Sequence, residues 1–106
     1  MKFTNIDQQR YAKQLILKKI GVIGQKKIMS TKVLVIGIGG LGCPLILYLA
    51  NSGIRNLGLV DHDKVDISNL NRQILFTTKD VGKLKVLKAK KIIKKINKKI
   101  KINIFK

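Results

Sequence analysis

Two apolar runs of strand length, separated by a glycine-rich turn and a stretch of helical periodicity, organise the middle of this chain. Val33 to Ile36, led by Lys32, is almost entirely β-branched or leucine. That composition predicts a strand buried on both faces of a parallel sheet. Leu41 to about Ser52 then reads as a helix, with Pro44 in its first turn, where a missing amide hydrogen costs little, and Gly53 as its stop. Leu57 to Asp61 is the second strand, and a helical crossover between two such runs makes them parallel neighbours. Upstream, from about Asp7 to Met29, Leu15, Ile16, Ile20, Ile23 and Ile28 recur at mostly helical spacing broken by Gly21 and Gly24. Two short helical pieces joined by a turn are expected there. Downstream, from Gly82, the positions Ala89, Ile92, Ile93, Ile96 and Ile100 repeat every three or four residues with lysines between them, which predicts an amphipathic helix. Ile102 and Ile104 alternate with polar residues as a third strand would. Between the second strand and that helix, Asp63 to Asp80 is polar and aperiodic, and a connection of this length inside a compact domain is usually functional.

The turn after the first strand is Gly37-Ile38-Gly39-Gly40-Leu41-Gly42. Strand, glycine turn, helix and an acid-tipped strand form a cradle for nucleotide phosphate. The first glycine permits the turn, the second lets backbone approach a phosphate, and the last lets helix and sheet pack closely. Unpaired amides at the positive end of the helix then hold the anion. The pattern by itself serves both dinucleotide oxidoreductases and ATP-using enzymes.

Composition narrows the classes. At 106 residues and 45% apolar content the chain has material for one small core, so residues 1–106 are read as a single domain. Its net charge of +18 arises from 23 basic and 5 acidic residues, and eleven lysines with no acid follow Asp80. Such a segment attracts polyanions. Yet lysine outnumbers arginine twenty to three, glutamate is absent and isoleucine occurs seventeen times, the signature of codon drift toward A and T. Tyr11, Tyr48, Phe3, Phe76 and Phe105 are scattered and form no RNA-binding signature. A solvated basic face, without specific nucleic-acid recognition, is therefore expected. One cysteine rules out a disulfide framework, and one cysteine with one histidine rules out a self-contained zinc site. No apolar stretch approaches the roughly 20 residues that cross a bilayer, and the first residues lack the apolar segment of a signal peptide. A soluble, cytoplasmic protein is expected.

Three further clusters accompany the glycine turn: Arg10-Tyr11-Ala12-Lys13-Gln14, then Asp61-His62-Asp63 with Ser68-Asn69-Leu70-Asn71-Arg72-Gln73, then Val81-Gly82-Lys83-Leu84-Lys85. In this order they resemble the ThiF/MoeB/HesA superfamily, bacterial relatives of the ubiquitin-activating enzyme, from about Arg10 to the last residue. The resemblance implies an α/β, Rossmann-like three-layer fold on a short parallel sheet of about three strands, preceded by N-terminal helices and truncated to the N-terminal half of the family's nucleotide-binding domain. It implies an ATP-dependent adenylyltransferase, working with Mg2+, that activates the C-terminal glycine of a ubiquitin-like sulfur carrier of the thiamine or molybdopterin type and releases pyrophosphate. Arg72 and Lys85 are the implied catalytic cations, the charges that attack at an α-phosphorus requires. Gly37, Gly39, Gly40, Gly42, Asp61, Asp63, Asn69 and Gln73 are the implied nucleotide contacts, with Asp61 on the ribose.

The resemblance also implies a homodimer in which the Arg-Tyr-x-Arg-Gln element reaches the partner subunit's nucleotide. Its second arginine is Lys13 here, which keeps the charge and loses the two-pronged fork. Leu84 stands where the family has proline, which should loosen that turn. The family's magnesium aspartate, zinc-binding cysteine pairs and carrier-linking cysteine correspond to positions beyond Lys106. Cys43 reads as a small buried residue and not as a nucleophile. His62 reads as a loop residue, and Asp63 and Asp66 as solvated carboxylates. A non-catalytic nucleotide-binding remnant and an NAD-dependent oxidoreductase are the alternatives.

Overall fold

A capping box starts the first helix and ties it to the sheet. In the computed structural model, which describes residues 3–105, the Thr4 hydroxyl accepts the Asp7 amide at 3.1 Å and the Asp7 carboxylate accepts the Thr4 amide at 2.9 Å. Helices α1 (Asn5–Arg10), α2 (Ala12–Leu15) and α3 (Gly21–Ser30) follow. The segment is thus three short helices where two pieces were expected, because Tyr11 leaves helical geometry between the first two and Gly24 is accommodated inside the third. The buried Gln25 donates to the Ser52 carbonyl at 2.9 Å and accepts from Gln14 at 2.7 Å. These amides satisfy the orphan end of helix α4 (Gly42–Ser52).

Strands β1 (Lys32–Ile36), β2 (Asn56–Val60) and β3 (Lys101–Phe105) form one parallel sheet in the order β1-β2-β3, with Leu34 opposite Gly58 and Gly58 opposite Asn103. The α/β class and the three-stranded parallel sheet are as expected. Helix α5 (Lys85–Ile96) packs on α4 and β3. Successive crossovers that step the same way across a sheet share one hand and place their helices on one face. Val35, Leu57, Leu59 and Ile102 lie beneath them, joined by Ile46 and Ala50 of α4 and Val86, Ala89 and Ile93 of α5. Each fully buried aliphatic side chain in this set contributes about 1.5 to 3 kcal/mol.

The opposite face carries Lys32, Leu34 and Ile36, then Asn56, Gly58 and Val60, then Lys101, Asn103 and Phe105. Among the described residues no helix covers it: Leu34, Ile36 and Phe105 are 55%, 77% and 53% exposed. The expectation of a first strand buried on both faces is therefore corrected. Among the described residues β1 is an edge strand with one bare face, and they supply two of the three layers. Among the described residues both β1 and β3 are unpaired on their outer sides.

An ion pair anchors the end of the sheet remote from the glycine turn. Arg55, just before β2, meets the buried Asp7 carboxylate at 2.9 Å, and Lys99, just before β3, approaches it at 3.8 Å. Burial works to raise the Asp7 pKa, but the Thr4 amide and hydroxyl and the charges of Arg55 and Lys99 outweigh it and hold the carboxyl below 3.8. Asp80 repeats the arrangement. Burial opposes ionisation, while Thr77 and Lys88, the latter at 3.3 Å, lower its pKa. Since both folded-state values are depressed, their stabilisation is complete above the ordinary carboxylate value and is lost as pH falls through the lowered ones. Removing the guanidinium leaves the buried Asp7 carboxylate with only the longer Lys99 contact as a counter-charge, so Arg55→Met is expected to cost about 2 to 3 kcal/mol. Urea midpoints at pH 7 measure this, and the same titration repeated down to pH 2 should show the parent's advantage over the variant vanish in acid.

Candidate functional site

The glycine turn leaves β1 in a conformation open to glycine alone. Gly37 has φ of 91°, and its amide bonds the Val60 carbonyl at 2.8 Å. A side chain at Gly42 would overlap the Gly37 carbonyl, so the turn closes tightly against the first turn of α4. The amides of Gly39, Gly40, Leu41 and Gly42 find no acceptor among the described residues. They sit at the positive end of α4, as an anion cradle requires.

The Ile38 amide departs from this pattern. It donates to Asp61 Oδ2 at 2.7 Å, while Asp61 Oδ1 accepts the Asp63 amide at 2.8 Å. Asp61 at the tip of β2 is thus a clamp on the turn. Its oxygens retain lone pairs for two hydroxyl donors. Amide spacing alone carries no sign of this bond, and the sequence reading missed it.

Above the turn, the segment between β2 and α5 is fixed by local bonds. Asp66 caps a 3-10 turn over Ile67–Asn69, accepting from the Ser68 amide and hydroxyl, and the Asn69 side-chain oxygen accepts the Asp66 amide at 3.0 Å. Those Ser68 bonds hold the Asp66 pKa below its ordinary value. Asn69 is thereby placed as a loop brace, its carbonyl accepting the Gln73 amide at 2.8 Å. The brace delivers Arg72 and Gln73 to the glycines. The Arg72 stem lies over Gly40, 3.5 Å from where a Cβ would stand, and its guanidinium meets only the Ser68 carbonyl at 3.3 Å and Asn71 at 3.1 Å. Gln73 is buried beside Gly39, and its Oε1 has no donor among the described residues. The Gln73 atom nearest Gly39 is Nε2, 3.9 Å from where a Cβ would stand, so the amide side chain lies against the turn.

Lys85 opens α5 from below. Its amide bonds the Asp63 carbonyl at 3.1 Å, and the side chain is 6% exposed with no ion pair or hydrogen bond among the described residues. Its helix, α5, packs on α4. The turn before it, loosened in expectation by Leu84, is held instead by a bridge between Lys64 and Leu84 and by the bond of the Val65 amide to Lys83. Cys43 is buried, and burial pushes its thiol pKa up, so it is no nucleophile.

Asp63 is exposed, and its carboxylate meets His62 at 3.2 Å. Asp61, His62 and Asp63 each bring a ligand atom within 4.8 Å of the others. With Asp61 committed to two amides, they form no dedicated cage, and a magnesium ion here would depend on phosphate and water for most of its ligands. Lys13 lies apart from the rest. It is exposed on α2, next to Gln14, which bonds the Ser52 carbonyl at the far end of α4. An eleven-residue helix separates it by about 15 Å from its own glycine turn.

The ThiF family model matches residues 11–106, covering the clamp, the turn and both cations. This chain belongs to the ThiF family. It is 47% identical over 104 residues to the adenylyltransferase and sulfurtransferase UBA4 of Debaryomyces hansenii, covering 97% of this chain and 23% of that one. It is 49% identical over 102 residues to the "Probable molybdopterin-synthase adenylyltransferase" of Gracilaria tenuistipitata var. liui, covering 96% and 29% respectively. Among solved structures, E. coli tRNA N6-threonylcarbamoyladenosine dehydratase TcdA in complex with AMP superposes with a TM-score of 0.87 at 27% identity, over 99% of this chain and 42% of that one. The ThiF-family chain described here thus spans about a quarter of the length of these curated relatives. No helix among its described residues is long and apolar enough to cross a membrane.

Proposed function

We propose that this ThiF-family chain is the nucleotide-binding portion of an ATP-dependent adenylyltransferase that activates the C-terminal glycine carboxylate of a ubiquitin-like sulfur carrier, of the thiamine or molybdopterin type, in the cytoplasm. The observation that carries the reading is a glycine turn with four free amides, clamped by Asp61 and overlain by the Arg72 stem, with the buried Gln73 beside it. The triphosphate rests on the amides of Gly39 to Gly42, Arg72 and Lys85 neutralise charge that grows as the carboxylate attacks the α-phosphorus, and pyrophosphate leaves. Asp61 takes the ribose hydroxyls, and Gln73 accepts a donor from the nucleoside. Asp63, exposed beside Asp61 and His62, would lend a carboxylate to a metal ion that accompanies the phosphates. Mg2+ supplies further charge neutralisation when bound.

Lys13 cannot serve its own turn from the far end of α4. In a homodimer it approaches the partner subunit's nucleotide, and as a point charge it holds a terminal phosphate more weakly than an arginine fork. Two relatives, UBA4 and the molybdopterin-synthase enzyme, are adenylyltransferases by name, and several solved neighbours are complexes with AMP, ATP or an ATP analogue. These support ATP over NAD as the nucleotide.

Isothermal titration with ATP and magnesium, followed by pyrophosphate exchange with a carrier ending in Gly-Gly, tests the reading. Saturable ATP binding and carrier-dependent exchange are expected. ATP binding without exchange reduces the chain to a nucleotide-binding remnant, and no ATP binding defeats the proposal.

A further inference from the structure

The helix that begins at Lys85 carries a second feature on its outer side. Leu84 and Leu87 floor a groove of about 600 Å3 whose walls are lysine stems, and Leu87 is 45% exposed there. Two walls are pinned. Lys88 is drawn aside by Asp80 at 3.3 Å, and Lys94 is bonded to the carbonyl of Ile100. Lys83, Lys90 and Lys91 line the same groove without an anionic partner among the described residues. From Lys83 onward the sequence has eleven lysines and no acid, so no carboxylate of this stretch competes for them.

We infer that this groove docks an acidic, leucine-bearing segment of a protein partner, the carboxylates meeting Lys83, Lys90 and Lys91 and an aliphatic side chain covering Leu84 and Leu87. On the adenylyltransferase reading, from which this identification of the partner follows, the partner is the carrier itself, since the groove is lined by Lys83 and Leu84, the two residues that lead into Lys85. Nucleic acid fits less well. Helix α5 has neither arginine nor aromatic residue, so it offers no fork for phosphate and no plane for a base, whereas its apolar floor suits an aliphatic side chain. Charge complementarity supplies the encounter rate, and the leucine floor supplies the discrimination between an acidic protein segment and any other polyanion.

Fluorescence anisotropy at physiological salt tests this with three labelled probes: a short peptide of aspartates, glutamates and spaced leucines, the same peptide with serine for leucine, and a thymidine oligonucleotide of equal charge. The leucine peptide should bind the tightest. Its affinity should fall roughly tenfold in a Lys90→Glu, Lys91→Glu chain and by a similar factor in Leu87→Ser, an exposed position whose change leaves the core intact. Equal binding of all three probes, or indifference to both variants, overturns the inference. ATP binding is titrated on the same samples: a chain that captures the peptide and ignores ATP sinks the enzyme reading and leaves the groove's assignment standing, and the converse overturns the groove alone.

Discussion

A Gly42→Ala chain is expected to lose ATP binding and much of its stability together. The added methyl would occupy the space of the Gly37 carbonyl oxygen, a backbone atom that cannot rotate out of the way. Gly37 is itself held at φ of 91° and bonded to Val60, so relief requires α4 to move off the sheet. That movement takes Ile46 and Ala50 out of register with the core, at a cost of at least about 2 kcal/mol. For a domain of this size the melting midpoint should fall on the order of 10 °C. The same shift disorders the amides of Gly39 to Gly42, and ATP affinity should drop more than tenfold. Gly40→Ala is the control. Its methyl would meet the Arg72 stem at 3.5 Å, an ordinary contact with a movable group, so the fold should survive with a modest change in affinity. Thermal melts and titrations of the pair decide it, and an unaltered Gly42→Ala chain would refute the close packing described here.

What the sequence made legible divides by range. Local signals were readable: Gly37 and Gly42 marked the turn, Pro44 and Gly53 the span of α4, and the isoleucine period α5. The three parallel strands follow from those signals because a crossover helix leaves few other arrangements. Contacts between distant segments were not. The buried pair of Asp7 with Arg55, the clamp of Asp61 on the Ile38 amide and the burial of Gln25 against Ser52 join residues many positions apart, and no period or motif records them. The misreading of β1 has a different origin. Val33 to Ile36 has the apolar content of a strand covered on both faces, and the composition is sound, but the described residues cover one face. A parallel sheet with Leu34, Ile36 and Phe105 bare on one side is an arrangement that such sheets rarely tolerate. At the site, residue types were legible while their states were not. Asn69 turned out to brace the loop, and Gln73 to be buried with an unsatisfied oxygen.

Lys85→Met separates the proposed chemistry from the fold. Lys85 is largely covered, and its ammonium gains no counter-ion or hydrogen bond among the described residues, so in the empty chain the charge carries a partial desolvation penalty without an offsetting contact. Methionine fills a similar volume without that penalty, so the variant should melt at the parent's temperature or above it. A lysine serving only to hold α5 in place would give the reverse. On the proposed function the charge has its purpose when ATP is bound, because the triphosphate would supply the missing anion. Loss of one such positioned group typically lowers turnover by about 10² to 10³. Pyrophosphate exchange with the carrier should fall by that factor in Lys85→Met. Lys85→Arg, which preserves charge at a different reach, should recover part of it. Lys79→Met, at an exposed position on the same loop, should leave exchange unchanged. Exchange in Lys85→Met within about threefold of the parent would remove Lys85 from the mechanism, and with it the argument that an unpaired cation at the start of α5 serves phosphate.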